Sequence, residues 1–246
     1  MLKNASVDAL CKGLGSAPIN WERTMTTVCR ANHERHVPLS LQSLAAMASE
    51  SHLAHTLRDQ AKELDLDVTW YPLNEAERFG PFVARYLPNA NNLFVSEPGQ
   101  ERGRVEYDQV IRVDGLFTIF EVKISAWKKL GHRKNSSFRA KSIRDLMTEK
   151  CYHHRFEPLK KFVCGERFAY VLMIPTDIIS GSFASSPAGS EFTKQGGIVV
   201  PFPSQRVDWP QTVFNKLVHY GLLVEKDQEW ACANYPLPMR NIKEFL

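Results

Sequence analysis

Three residues near the middle of the chain combine types and spacing suited to handling a cation and a phosphate: Asp108, Glu121 and Lys123. They fall on two strand-like runs, about 104–113 and 116–124, joined by Asp114-Gly115. An Asp-Gly pair between two such runs is a strong hairpin signal, because a two-residue type I′ turn needs positive φ at both positions. Such a turn also fixes register. Val113 then faces Leu116 and Arg112 faces Phe117, and counting outward sets Asp108 opposite Glu121 and Glu106 opposite Lys123. Alternation puts these four side chains on one face of the sheet. The other face receives Val105, Tyr107, Ile111, Phe120, Val122 and Ile124.

Directly opposed residues have Cβ atoms roughly 4.5–5.5 Å apart, and like charges there are destabilising. A sheet has no structural reason to set Asp108 against Glu121 unless a cation lies between them. Two hard oxygen ligands on rigid strands, with water positions left open, suit Mg2+ or Mn2+. Lys123, two residues beyond Glu121, points into the same space, where an ammonium can balance charge on a phosphate or orient an attacking water. The plainer alternative is a solvated face, with Glu106 and Lys123 as an ion pair and the other two acids in water. Weighing against it, Glu121-Val122-Lys123 ends an apolar run that reads as a central strand, and Glu50 interrupts an otherwise apolar helical stripe.

That stripe belongs to a helix expected over about 40–64, capped by Ser40 after Pro38, with Ala46, Glu50, Leu53, Leu57, Ala61 and Leu64 at steps of three and four. Before it, residues 1–38 read as short helices broken by Gly13, Gly15, Pro18 and Pro38. After it come a strand at 68–71, an irregular or partly helical insert over 74–103, and then the hairpin. A helix over about 142–163 and a buried strand over 168–174 follow. A Ser/Gly-rich loop at 180–190 leads to a short strand at 197–200 and a helix over about 209–223. The order is mixed α/β, or α+β. It divides into an N-terminal helical extension (1–39), a core (40–178) and a C-terminal extension packed on the core (179–246).

Glu106-Tyr107-Asp108, a hairpin, then Glu121-Val122-Lys123 resembles the signature of the PD-(D/E)XK nuclease superfamily. The resemblance covers about 40–175 and implies a restriction-endonuclease-like core, a central mixed β-sheet flanked by helices in the order αβββαβ. Carried over position by position, it implies Asp108 and Glu121 as acidic metal ligands, the backbone carbonyl of Val122 as a further ligand, and Lys123 as the catalytic lysine. Glu50 matches the acid often found on the family's first helix, and Glu106 the variant with an acid two residues before the aspartate; both are further candidates at the metal. Tyr107 stands where the name-giving proline would be. The implied activity is Mg2+-dependent (or Mn2+-dependent) phosphodiester hydrolysis leaving a 5′-phosphate and a 3′-hydroxyl.

Beside this site runs a basic segment: Lys128, Lys129, Arg133, Lys134, Arg139, Lys141 and Arg144, with Trp127 and Phe138 interleaved and no acid before Asp145. Phosphate neutralisation by such residues supplies affinity with little sequence preference. Lys150, His154 and Lys161 extend it along the next helix. A nucleic-acid partner follows as the expectation, DNA ahead of RNA. An RNA-cleaving enzyme of the same fold, or a catalytically inactive nucleic-acid-binding or assembly module, are the alternatives.

Other features are plainer. Adjacent His153 and His154 between Cys151 and Cys164 diverge by about 100° on a helix and make a poor zinc set. His33 and His36 near Cys29 are weaker, and Gly13-Leu14-Gly15 lacks the context of a dinucleotide turn. The net charge of +4 is compatible with an anionic partner without requiring one. No apolar run approaches a membrane span, no secretory signal is visible, and the five cysteines are odd in number and scattered. Cytoplasmic residence with free thiols is the expectation, with a homodimer or larger complex open by analogy.

Overall fold

The computed structural model describes residues 4–35, 41–71, 76–79, 82–86, 93–96, 105–124, 168–179, 187–194, 196–204, 208–226, 229–232 and 235–238. Helix α1 (Ala5–Ser16) starts at Asn4, whose side chain accepts from the Ser6 and Val7 amides. It runs through Gly13 and Gly15, which therefore do not break it. Gly15 instead lets the helix approach a strand closely, since a Cβ there would lie 3.2 Å from the Pro201 ring. Helix α2 (Trp21–Arg35) and the long α3 (Leu41–Glu63) follow. Asp65 closes α3 in the left-handed region at φ 50°, and Leu66 N–H donates back to Ala61.

Strand β1 (Val68–Tyr71) is followed by β2 (Ala76–Phe79), β3 (Phe82–Tyr86), β4 (Leu93–Ser96) and β5 (Val105–Tyr107). These last four pair as an antiparallel sheet of their own. The described residues of the insert read as irregular or partly helical are thus strands, paired in sequence order. The long strand expected over 104–113 breaks at Asp108 into β5 and β6 (Gln109–Val113). Glu106 pairs with Phe94 of β4, and the β6–β7 ladder ends at Gln109↔Phe120, short of the expected Glu106–Lys123 opposition.

β6 turns through Asp114 and Gly115, at φ 46° and 80°, into β7 (Leu116–Val122). Pairing from Val113↔Leu116 to Gln109↔Phe120 follows the register expected from the turn. β8 (Phe168–Pro175) lies parallel to β7. Beyond a helical turn at Thr176–Ile178 and helix α4 (Pro187–Lys194), β9 (Ile198–Phe202) lies parallel to β8. The result is a five-stranded open mixed sheet in the order β1-β6-β7-β8-β9, flanked by helices. β9, read as part of a C-terminal extension, completes the central sheet, and α4 begins inside the stretch read as a Ser/Gly loop. Helix α5 (Trp209–His219) and a three-stranded antiparallel sheet of β10 (Leu223–Lys226), β11 (Glu229–Cys232) and β12 (Tyr235–Pro238) end the described chain.

One face of the central sheet carries Ile111, Val113, Phe120, Val122, Val171, Met173, Val200 and Phe202 into a core shared with α1, α2, α3 and α5. Burying eight such side chains at about 1.5–3 kcal/mol each makes this layer the main source of cohesion. α3 is at its centre, largely buried from Leu44 to Leu57 and exposing Arg58, Asp59, Lys62 and Glu63 beyond; of the expected stripe, Ala46 and Leu64 are exposed. Trp209 anchors α5 to it, donating its indole N–H to the Ala45 carbonyl at 2.8 Å and meeting Phe202 edge-on. Among the described residues no helix is long and apolar enough to cross a membrane.

Two titratable groups sit inside the helical layer. Burial, with a smaller push from Asp8, raises the Cys11 thiol to about 12. A thiol that does not ionise at neutral pH is a poor nucleophile. In the native protein Cys11 is expected to resist iodoacetamide at pH 8 and to be labelled once urea unfolds the chain, as read by peptide mass spectrometry. Native labelling at the unfolded rate would contradict its placement.

His52 is pushed down to about 4, by burial first and by His55 second. The unfolded chain therefore takes up a proton below pH 6.5 that the folded one refuses, and stability falls with pH from there toward 4. The loss is about 1.4 kcal/mol per pH unit for a fully buried group. Urea melts between pH 6.5 and 5 are expected to show this slope in the wild type and a shallower one in His52→Gln. Equal slopes would remove His52 as its source.

Candidate functional site

The site begins with where β7 sits. It lies between antiparallel β6 and parallel β8, so it is covered on both edges and buried along its length. Phe120 and Val122 enter the helical layer. Phe117, Ile119 and Glu121, by alternation, take the opposite face together with Tyr170 and Leu172 of β8. That second face is also apolar and buried: Phe192 of α4 packs edge-on against Tyr170, and Tyr71 stacks on Phe117 at 5.0 Å. The acids on it are not solvated. Asp108 is 2% exposed and Glu121 0%.

Asp108 stands at the bend between β5 and β6, one residue beyond the β6–β7 ladder and next in register to Glu121. Its Oδ2 accepts the Val122 N–H at 2.7 Å, a bond to the strand that carries Glu121. The Lys123 Nζ lies 2.6 Å from Glu121 Oε2 and 3.4 Å from Asp108 Oδ2. The Lys123 amide donates to the Met173 carbonyl at 3.0 Å, extending the β7–β8 pairing past Val122 and fixing where its side chain leaves the sheet. Three of the residues singled out in the sequence thus meet, two buried carboxylates spanned by one ammonium.

The other site candidates are placed differently. Glu50 lies on α3, partly buried, and does not complete a three-acid group with Asp108 and Glu121; among the described residues no three His, Cys, Asp or Glu side chains gather as a metal cage. Glu106 is on β5 in the second sheet. The Val122 amide donates to Asp108 Oδ2, a contact additional to the metal-ligand role expected of its carbonyl. Reading side chains alone missed it; the buried aspartate beside a strand end was the available signal. The basic residues Lys128, Lys129, Arg133, Lys134, Arg139, Lys141 and Arg144, the helix expected over 142–163, and Cys151, His153, His154 and Cys164 lie outside the described residues.

No protein-family model, curated protein or solved structure matches the chain. The chemistry must be read from the site itself.

Two carboxylates brought out of water side by side repel, and each forfeits its hydration. The ammonium and the Val122 amide offset this. Carboxylate oxygens are also the donor type that divalent cations take, and here they share the ammonium's positive charge. Removing Asp108 keeps the Lys123–Glu121 ion pair but takes away the buried acceptor of the Val122 N–H. In metal-free buffer Asp108→Ala is expected to lose about 2 kcal/mol in urea unfolding. Asp108→Asn, which keeps an acceptor for Val122, is expected to lose less. A cost below about 0.5 kcal/mol for the alanine variant would show that the triad is not coupled to folding.

Proposed function

We propose that this protein is a Mg2+-dependent nuclease that hydrolyses phosphodiester bonds, with an endonuclease acting on DNA as the leading form. The observation that carries the reading is the buried Asp108–Glu121 pair with Lys123 spanning it. Burying two acids against each other is costly for folding, and such cost is typical of sites kept for chemistry. The order of elements supports the same reading. A helix, an antiparallel three-strand meander interrupted by an insert, and a fourth strand parallel to the third agree with the αβββαβ order of the PD-(D/E)XK resemblance. The helix expected before that fourth strand lies outside the described residues.

In this reading Asp108 and Glu121 hold the cation, which when bound supplies charge to the scissile phosphate and acidifies a water. The Val122 amide keeps Asp108 in position. Lys123, the partly exposed member of the triad, faces the incoming phosphate and orients the attacking water. The basic stretch from Lys128 to Arg144 would bring the polyanion to acids that otherwise repel it. One observation favours a second reading, a nucleic-acid-binding module without catalysis: Lys123 already supplies a positive charge to both acids without metal.

Purified protein incubated with plasmid, linear and single-stranded DNA and with RNA separates the two. Cleavage is expected only with Mg2+ or Mn2+, falling by about 10²-fold or more in Glu121→Ala and Lys123→Ala proteins that remain folded. Binding of DNA or RNA without cutting, equal in wild type and variants, would instead establish the module.

A further inference from the structure

We propose that Lys123 is the resident cation of the carboxylate pair, and that a divalent metal enters by exchange with its ammonium rather than by joining it. The inference rests on the metal reading above and concerns how that site is gated. Glu121 Oε2 and Asp108 Oδ2 lie 2.6 and 3.4 Å from Nζ, and they are hard donors of the kind a divalent metal takes. Two cations on the same oxygens repel strongly where solvent is excluded.

The three side chains differ in freedom. The carboxylates are buried, and Asp108 Oδ2 is also held by the Val122 amide at 2.7 Å, so this acid stays put when the ammonium leaves. The Lys123 side chain is 24% exposed and carries its charge on a long flexible stem. It is the member that can move to solvent. Metal-free protein thereby carries its own counter-charge at the pair, one positive against two negative, and metal affinity is lowered by whatever holds the lysine in place. By linkage, bound metal must loosen the lysine to the same degree that the lysine weakens the metal.

The exchange is tested on the full chain with Mn2+, its free concentration followed by electron paramagnetic resonance, in wild type and Lys123→Met. The methionine variant is expected to bind Mn2+ about 10-fold more tightly or better. Where that variant does not fold, the wild type decides: saturating Mn2+ is expected to raise the rate at which acetic anhydride labels Lys123 several-fold, read by mass spectrometry. Equal or weaker Mn2+ binding in the variant, or a labelling rate that is unchanged or lowered, overturns the exchange while leaving the metal site intact. No Mn2+ binding in either protein overturns both the exchange and the metal reading.

Discussion

Two carboxylates on neighbouring strands, each with almost no contact with water, repel one another and have given up their hydration. Such an arrangement persists only where positive charge and hydrogen-bond donors are supplied at the same place. Lys123 supplies the charge to both acids, and the Val122 amide supplies a donor to Asp108. Much of the fold acts to maintain that local balance. β8 lies along β7 and receives the Lys123 amide at Met173, holding the lysine's backbone at the edge of the acidic pair. The break in the chain at Asp108 turns a residue that would have continued a strand into one whose carboxylate reaches the neighbouring backbone.

The helical layer contributes from the other side of the sheet. Phe120 and Val122 are locked between α3 and its neighbours, so the alternation of β7 leaves Glu121 no choice of face. A one-residue slip would exchange Glu121 with Val122, burying the charge in the helical core and removing it from Lys123. The turn at Asp114-Gly115 guards against that slip. Its aspartate is tied back to the Ser6 hydroxyl of α1, and its amide donates to the Asp67 carbonyl at 3.1 Å. The N-terminal helix is in this way coupled to the register of the hairpin that carries the acids.

Much of this could be read from the residues. Asp114-Gly115 specifies a turn whose two positive φ values few other pairs tolerate, and that alone fixes the register from Val113↔Leu116 outward. Glu121-Val122-Lys123 at the end of a continuous apolar run marks a strand buried on both faces. What escaped was long-range or backbone-borne. β2 to β5 are strands of three to five residues between Pro, Asn and Gly, too short for an alternating pattern to stand out. Their pairing draws β5, and Glu106 with it, into another sheet. β9 looked like an appendage because membership of a parallel sheet is set by a distant partner, β8, and by no local signal. The contact from the Val122 amide involves no side-chain spacing, and Glu50 obeyed the stripe of α3 without completing an acidic group, since periodicity gives a face and not a distance.

The central claim, that Asp108 and Glu121 form a site for a divalent cation, is tested most directly by anomalous diffraction from crystals grown with Mn2+. A manganese peak is expected within about 2.0–2.6 Å of oxygens from both carboxylates, with the Lys123 ammonium moved away from them. A map with no peak there at saturating Mn2+, and Lys123 still spanning the two acids, would contradict it and leave the triad a structural ion cluster.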